Sequence, residues 1–173
     1  MMPGVDTSDM TAAAYEVHRR WRAREAPDGE FIMFADGSLS VMRLMRFSPP
    51  GQLNDLQAER WQWVEVLRAT AWKANDWVEV DSVLASCTYA KGRALAGESA
   101  NHGSIGWVAL TRDDDEGTLE WVAVSSEANP FAEVALNETT VTAISTAGRT
   151  WAFPRNAPQQ VRITEDPAYP WCR

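Results

Sequence analysis

The stretch GWVALTRDDDEGTLEWVAV, residues 106–124, places two near-identical tetrapeptides on either side of an acidic run. The tetrapeptides, WVAL from Trp107 and WVAV from Trp121, are rich in the aromatic and β-branched residues that strands favour. Between them, residues 113–117 carry four carboxylates and a glycine, a composition typical of a turn. The stretch therefore predicts a β-hairpin with an acidic, solvent-exposed tip.

The length of this loop decides which face of the sheet each tryptophan occupies. If residue 112 pairs with residue 116, Trp107 lies directly opposite Trp121, whereas a slip of one residue puts the rings on opposite faces. A cross-strand aromatic pair contributes roughly 0.5–1 kcal/mol. We therefore expect the register that pairs the two rings.

The acidic run does not have the spacing of a calcium loop or the surroundings of a catalytic carboxyl pair. A calcium loop that began at Asp113 would need glycine at its sixth position and glutamate at its twelfth, where Thr118 and Val124 stand. An acid–base pair needs at least one carboxyl in an apolar pocket. A solvated turn is the simplest interpretation, and a protein contact or a loosely bound cation are the alternatives.

Beyond this hairpin, the pattern predicts one α+β domain, 1–173, with two N-terminal helices, an early β-hairpin and a mostly antiparallel sheet or curled sheet in the C-terminal half. Residues 1–8 are expected to form a loose N-terminal tail and 165–173 an irregular C-terminal tail. The predicted elements are a helix 9–25 capped by Ser8 or Asp9, a hairpin 30–47 around Asp36-Gly37, a helix 54–74 within which 60–68 also has the pattern of a strand, and strands 77–84, 85–90, 105–111, 118–125, 131–136, 140–145, 150–153 and 161–164.

The apolar positions of these elements predict the core. The expected core residues are Val17, Trp21, Phe31, Met33, Leu44, Leu56, Val64, Leu67, Val78, Val108, Leu110, Val122, Val124, Val134, Val141, Ile144, Trp151 and Phe153.

The charge of the chain restricts its partners. The formal net charge is −8, which disfavours nucleic acid and anionic membrane surfaces as partners because both would be repelled. The charge is also uneven, since residues 113–148 contain eight acids and no Lys or Arg. We expect this span to give the β-rich half an acidic face.

The residues that usually carry metal or redox chemistry are few. The two histidines and two cysteines form none of the spacings of zinc sites, so neither a metal nor another cofactor is expected. Cys87 and Cys172 fit a reduced protein better than a disulfide framework, and the N-terminus lacks the features of a secretory signal. The expected location is the cytoplasm.

Three functions are compatible with these observations. The first is a non-catalytic protein-binding module, by analogy of character an inhibitor or immunity-type protein, which docks a basic partner through its acidic β face. The second is a small enzyme or ligand-binding protein that uses a loop at 86–104, with His102, Glu98 and Cys87 as its catalytic candidates. The third is a sugar-binding β domain with exposed tryptophans. The residues expected to bind a partner are Asp113, Asp114, Asp115, Glu116, Glu120 and Glu127.

Overall fold

The computed structural model of the protein describes residues 11–47, 60–70, 74–99 and 102–165, with the backbone alone for 102–104. Strands make up 58% of the structure and helices 10%, with one helix of seven or more residues, so the predicted α+β fold with two N-terminal helices is wrong. The elements are α1 Ala12–Arg22, β1 Glu25–Pro27, β2 Phe31–Phe34, β3 Leu39–Arg46, β4 Trp61–Ala69, β5 Trp77–Glu79, β6 Ser82–Tyr89, β7 Gly92–Ser99, β8 His102–Arg112, β9 Leu119–Ser125, β10 Phe131–Leu136, β11 Thr140–Ser145, β12 Thr150–Pro154, a 3-10 helix Pro158–Gln160 and β13 Arg162–Thr164.

Eleven of the strands form one curled antiparallel sheet in the order β10-β11-β12-β13-β4-β3-β2-β9-β8-β7-β6, and β1 pairs with β5 in a separate two-stranded sheet. The two ends of the large sheet approach each other, because β10 packs against β6 and β7. The result is a nearly closed, barrel-like sheet.

The segment predicted as a second helix is strand β4. Its sequence WQWVEVLRA begins with an alternation, so that Trp61 and Trp63 both turn toward the inner core while Gln62 between them is exposed. Pairing with β3 along its whole length supplies the hydrogen bonds that a helix would have made within itself. Leu67, an expected core residue of that helix, is 58% exposed. Residues 54–59 and 71–73 of the predicted helix, including Leu56, lie outside the described residues.

Helix α1 is shorter than predicted but buries the expected face. The Thr11 side chain caps it by accepting a hydrogen bond from the backbone N–H of Ala14, at 3.1 Å. Val17 and Trp21 are buried, as their spacing predicts. The helix ends at Arg22 and not near residue 25, and the predicted caps at residues 8 and 9 lie outside the described residues. Within the described part of the chain, no helix has the length and apolar character required to cross a membrane.

The predicted hairpin at 30–47 is confirmed as β2 and β3. Its turn is one residue longer than a two-residue I′ turn, because Phe34 N–H donates to the carbonyl of Ser38 at 3.0 Å and three residues lie between them. Gly37 has a φ of +91°, and an added Cβ there would lie 2.6 Å from the Ala13 carbonyl carbon. Glycine at this position therefore allows α1 to pack directly against the turn.

Residues 86–104, expected as a loop with a hairpin around Lys91-Gly92 as the alternative for part of it, lie mostly in strands. β6 and β7 form a hairpin with a two-residue turn at Ala90 and Lys91, both of which have positive φ. β8 begins at His102 and pairs with β7. The segment is rich in Gly, Ala and Ser because its strands pack closely: an added Cβ at Gly97 would lie 1.9 Å from the Ser82 carbonyl oxygen.

The sheet is buried on both faces where β9 crosses it. Trp121 and Ala123 point into the inner core enclosed by the curled sheet. Val122 and Val124 point into a second, outer core that also contains Val17 of α1. Burial on both sides explains why β9 has a continuous apolar run in place of a polar–apolar alternation.

The expected pairing of Trp107 with Trp121 is wrong. Trp107 lies opposite Val124 and Trp121 lies opposite Leu110, and the register shifts between Leu110 and Thr111. Because of this shift, residues of β8 and β9 that lie beyond it, away from the turn, face the side of the sheet opposite to the one that an unbroken register would give. Trp107 consequently packs in the outer core and Trp121 in the inner core.

The other core predictions are largely confirmed. Phe31, Leu44, Val64 and Ile144 are half-buried. The expected residues found buried are Val17, Trp21, Met33, Val78, Val108, Leu110, Val122, Val124, Val134, Val141, Trp151 and Phe153.

Candidate functional site

The acidic run forms the tip of the β8–β9 hairpin, and all four of its carboxylates are exposed. The turn closes through two backbone hydrogen bonds: Arg112 N–H donates to the carbonyl of Thr118 at 2.8 Å, and Gly117 N–H donates to that of Asp114 at 3.2 Å. Gly117 has a φ of +60°, which glycine adopts without strain. The tip is thus an ordered turn at the end of two long strands.

Asp114 stabilises the turn. Its carboxylate accepts hydrogen bonds from the backbone N–H of Thr118 at 3.0 Å and from the Thr118 hydroxyl at 2.8 Å. These bonds, the backbone one first, lower the pKa of Asp114 below its usual value. Because both carboxylate oxygens are already used, this residue shapes the tip more than it offers a free charge.

Asp113 connects the tip to the neighbouring β6–β7 hairpin. Its carboxylate lies 3.0 Å from a guanidinium nitrogen of Arg93 on β7. Its backbone N–H donates to the carbonyl of Lys91, in the β6–β7 turn, at 2.8 Å. Two adjacent turns therefore support each other, and the charge of Asp113 is partly compensated.

Trp21 anchors the opposite side of the tip to α1. Its indole N–H donates to the carbonyl of Gly117 at 3.1 Å. Its ring meets the ring of Trp107 edge to face, with centroids 6.3 Å apart. The position of the tip is thus fixed by α1, by the buried Trp21 and by the Arg93 ion pair. Only the geometry of the fold shows that Trp21 and Arg93 contact the tip.

A cavity of about 350 Å³ lies beneath the tip, between α1, β7 and the start of β6. Trp21 and Leu95 contribute apolar surface to it, and carboxylates and guanidinium groups both line it. The charged residues that line it are Arg22, Arg24, Arg93, Asp114, Asp115 and Glu116. The sequence predicts an acidic surface here, but the fold brings arginines from distant segments to the same place.

Asp115 and Glu116 differ from the other two acids of the tip. Both are exposed, and within the described residues neither forms an ion pair or a side-chain hydrogen bond. They are therefore the two carboxylates of the tip that have their full hydrogen-bonding capacity available for a partner.

The remaining predicted partner-binding acids lie at different distances from the tip. Glu120 is exposed near the start of β9, close to the turn. Glu127 follows the other end of β9, and its charge acts on Glu30 there. Seven strand residues separate the two ends, on the order of 20 Å, so Glu127 does not belong to the surface formed by the tip.

Glu30, which the sequence did not single out, has the most unusual environment of the described carboxyls. Its two carboxylate oxygens accept hydrogen bonds from the Trp63 indole N–H and from the Ser125 hydroxyl, each at 2.9 Å. Burial raises the pKa of Glu30 to about 7, these hydrogen bonds oppose the shift, and the negative charge of Glu127 adds to it. No periodicity or motif marks this residue, because its partners come from β4 and β9.

The three weak catalytic candidates lie on the neighbouring strands β6, β7 and β8. Cys87 is buried on β6 and disulfide-bonded, so its thiol is not available as a nucleophile, and the expectation of a reduced cysteine is wrong. The chain's other cysteine, Cys172, lies outside the described residues. Glu98 lies on β7 and His102 begins β8, where its side chain is not described. In the described ranges, no group of three or more His, Cys, Asp or Glu residues is arranged to hold a metal ion.

Comparison with known proteins gives no relative from which a function could be transferred. No protein-family model matches the chain, and no curated protein is significantly similar to it in sequence.

Proposed function

We propose that the protein is a non-catalytic binding module that docks a basic protein partner through the tip of the β8–β9 hairpin. The observation that carries the proposal is the division of the four tip acids into two roles. Asp113 and Asp114 hold the turn in place, whereas Asp115 and Glu116 are exposed and form no ion pair within the described residues.

The anchoring of the tip supports this role. Contacts with Trp21 and Arg93 hold the turn before any partner arrives, so little conformational entropy is lost on binding. The arginines that line the cavity reduce the negative potential near the body of the protein. We therefore expect a partner's basic side chain to engage the outer carboxylates, Asp115 and Glu116.

The two alternative functions receive less support. The flexible loop required by an enzyme at 86–104 is replaced by paired strands. Sugar binding by exposed tryptophans requires open rings, but the described tryptophans are buried or half-buried. These tryptophans are Trp21, Trp61, Trp63, Trp77, Trp107, Trp121 and Trp151.

The test compares two double variants that change the net charge equally. Asp115→Asn/Glu116→Gln removes the two available charges at the tip, and Glu133→Gln/Glu138→Gln removes two exposed charges from β10 and the turn after it. Each protein is used to capture partners from an extract of its source cells at low and high ionic strength.

A basic partner should be captured by the wild type and by the control, and its affinity for the tip variant should be about tenfold lower. Capture should also weaken as salt is added, because exposed charges are screened. A partner that binds all three proteins equally, or independently of salt, would contradict the proposal, as would the capture of none.

The cytoplasmic location expected from the sequence is a separate question from docking and has its own test. Disulfides persist mainly in oxidising compartments, so the disulfide at Cys87 is evidence against a cytoplasmic location. Fractionation of the source cells, with the protein followed by mass spectrometry, decides between the cytoplasm and an oxidising compartment.

A further inference from the structure

The cavity beneath the hairpin tip is lined by charges of both signs that come from different elements. Asp115 and Glu116 line it from the tip, and Arg22 and Arg24 line it from the end of α1 and the residues just after it. All four side chains are exposed, and within the described residues none of them forms an ion pair. The acidic and the basic wall therefore do not neutralise each other by direct contact.

The other two charged residues that line the cavity already have partners. The Arg93 guanidinium lies 3.0 Å from the Asp113 carboxylate. The Asp114 carboxylate accepts from the backbone N–H and the hydroxyl of Thr118. The charges left for a ligand are thus those of the two α1 arginines and of the two outer tip acids.

Backbone hydrogen bonds fix the position of the basic wall. Arg24 N–H donates to the carbonyl of Trp21 at 2.9 Å, and the Arg24 carbonyl accepts from the N–H of Val80 at 2.8 Å. Arg24 has a φ of +62°, a conformation that is uncommon for a residue with a side chain. Because Trp21 also donates to the carbonyl of Gly117, the end of α1 and the tip are held at a set separation.

The surface between the two walls is apolar. Trp21, Leu95 and Val83 contribute to it, and Val83 is 41% exposed. Covering this surface with an apolar side chain would remove it from water, which favours binding. The volume of about 350 Å³ is at the small end of the range of ligand pockets, so the cavity suits a short segment and not a large molecule.

We propose that this cavity receives a bipolar segment of the docked partner, in which an apolar side chain lies between a basic and an acidic one. This inference rests on the proposed docking function and specifies its partner. The basic side chain would meet Asp115 and Glu116, the apolar one would cover the surface between the walls, and the acidic one would form charge-assisted hydrogen bonds with Arg22 and Arg24.

Arg22 and Arg24 are then the residues that determine specificity. A segment with basic side chains alone would be attracted by the tip acids but would place like charge against the two arginines. The arginines therefore favour a partner of mixed charge over a uniformly basic one.

The test uses capped peptides of the sequence Lys-Gly-Leu-Gly-Glu. Alternate residues of an extended peptide share one face, so its three larger side chains can reach the acidic wall, the apolar surface and the basic wall together. Two comparison peptides replace Glu by Gln or by Lys, and Glu-Gly-Leu-Gly-Lys tests the opposite direction. Each is titrated into the 15N-labelled full chain, and the indole N–H of Trp21, assigned with Trp21→Phe, and the backbone N–H of Gly117 report from the cavity lining.

In one of the two directions, the peptide with Lys and Glu should give saturable shifts, and replacing its Glu by Gln should weaken binding about twofold to fivefold. Arg22→Gln/Arg24→Gln should remove this preference and should strengthen binding of the peptide with two Lys. A loss of structure would weaken all peptides alike and could not produce this reversal. Arg22→Lys/Arg24→Lys, which keeps both charges, should preserve the preference.

The control is Arg43→Gln/Arg46→Gln, which removes two exposed charges from β3, outside the cavity lining, and should bind all peptides as the wild type does. Equal affinity for the Glu, Gln and Lys peptides would overturn the inference. A preference that Arg22→Gln/Arg24→Gln leaves unchanged would overturn it as well, as would the absence of saturable shifts.

The tip variant Asp115→Asn/Glu116→Gln separates this inference from the proposed function. If it weakens binding of the peptides while Arg22→Gln/Arg24→Gln changes nothing, docking through the tip acids stands and the bipolar segment is refuted. If neither variant changes binding, both are refuted.

Discussion

The half-buried carboxyl of Glu30 makes the stability of the protein depend on pH, and the substitution Glu30→Gln isolates this dependence. Burial raises the pKa of Glu30 from 4.5 to about 7 in the folded protein. The folded state therefore holds the proton more tightly than the unfolded state, and ionisation opposes folding. The stability that the neutral carboxyl contributes is fully present below pH 4.5 and is lost as the pH rises through about 7.

The size of the effect follows from the two pKa values. Each tenfold change in an equilibrium constant corresponds to about 1.4 kcal/mol, so the change from 4.5 to about 7 corresponds to about 3 kcal/mol. The amide that Glu30→Gln introduces does not titrate, and its oxygen can accept from the Trp63 indole, whereas the Ser125 hydroxyl, which already accepts from the backbone N–H groups of Glu127 and Ala128, loses its acceptor at every pH. The variant should therefore gain about 3 kcal/mol over the wild type between pH 4 and pH 8.

Urea unfolding at fixed ionic strength, repeated at intervals from pH 4 to pH 8, measures this difference. The control is Glu133→Gln, which removes an exposed carboxyl from β10 and should follow the wild type. If the free energies of unfolding of the wild type and Glu30→Gln change in parallel with pH, the reasoning about Glu30 is refuted.

Three further predictions concern the fold and the tip. Gly97→Ala should destabilise the protein by about 1–3 kcal/mol in urea unfolding, because the added Cβ would meet the Ser82 carbonyl oxygen. Gly148→Ala meets no atom within 4 Å but has a φ of +83°, so it should show only the smaller cost of a strained backbone. Trp21→Phe, which keeps an aromatic ring but loses the indole N–H, should reduce stability by about 1 kcal/mol and speed hydrogen exchange at Gly117; unchanged exchange would contradict the anchoring of the tip. In denaturant without reductant, iodoacetamide should leave Cys87 unmodified, and alkylation of Cys87 would show that it is a free thiol.

The positions of the strands could be predicted from the sequence where both the alternation and the turns are local. The predicted strands at 131–136 and 140–145 coincide with β10 and β11, and the acidic turn lies between β8 and β9 as expected. The error at β4 has a physical origin. Its apolar residues satisfy helical and alternating patterns equally. Hydrogen bonding to β3 decides between the two, and this pairing is not visible in the sequence of β4 itself.

The candidate sites were predictable only in part. The exposure of the tip acids follows from a run of turn residues between two strands. The sequence does not predict the arginines beside the tip, the burial of Glu30 or the contact of Arg149 with Trp61. Each of these features joins segments that are far apart in the chain.

The sequence by itself determined the strands of the C-terminal half, the buried face of α1 and the acidic hairpin tip, since alternation, helical spacing and turn composition are properties of neighbouring residues. Tertiary structure alone decided how the sheet curls, which core each tryptophan joins and which charges meet. A single irregularity between Leu110 and Thr111 shows the reason: it moves Trp107 and Trp121 to opposite faces, although their local sequences are nearly the same.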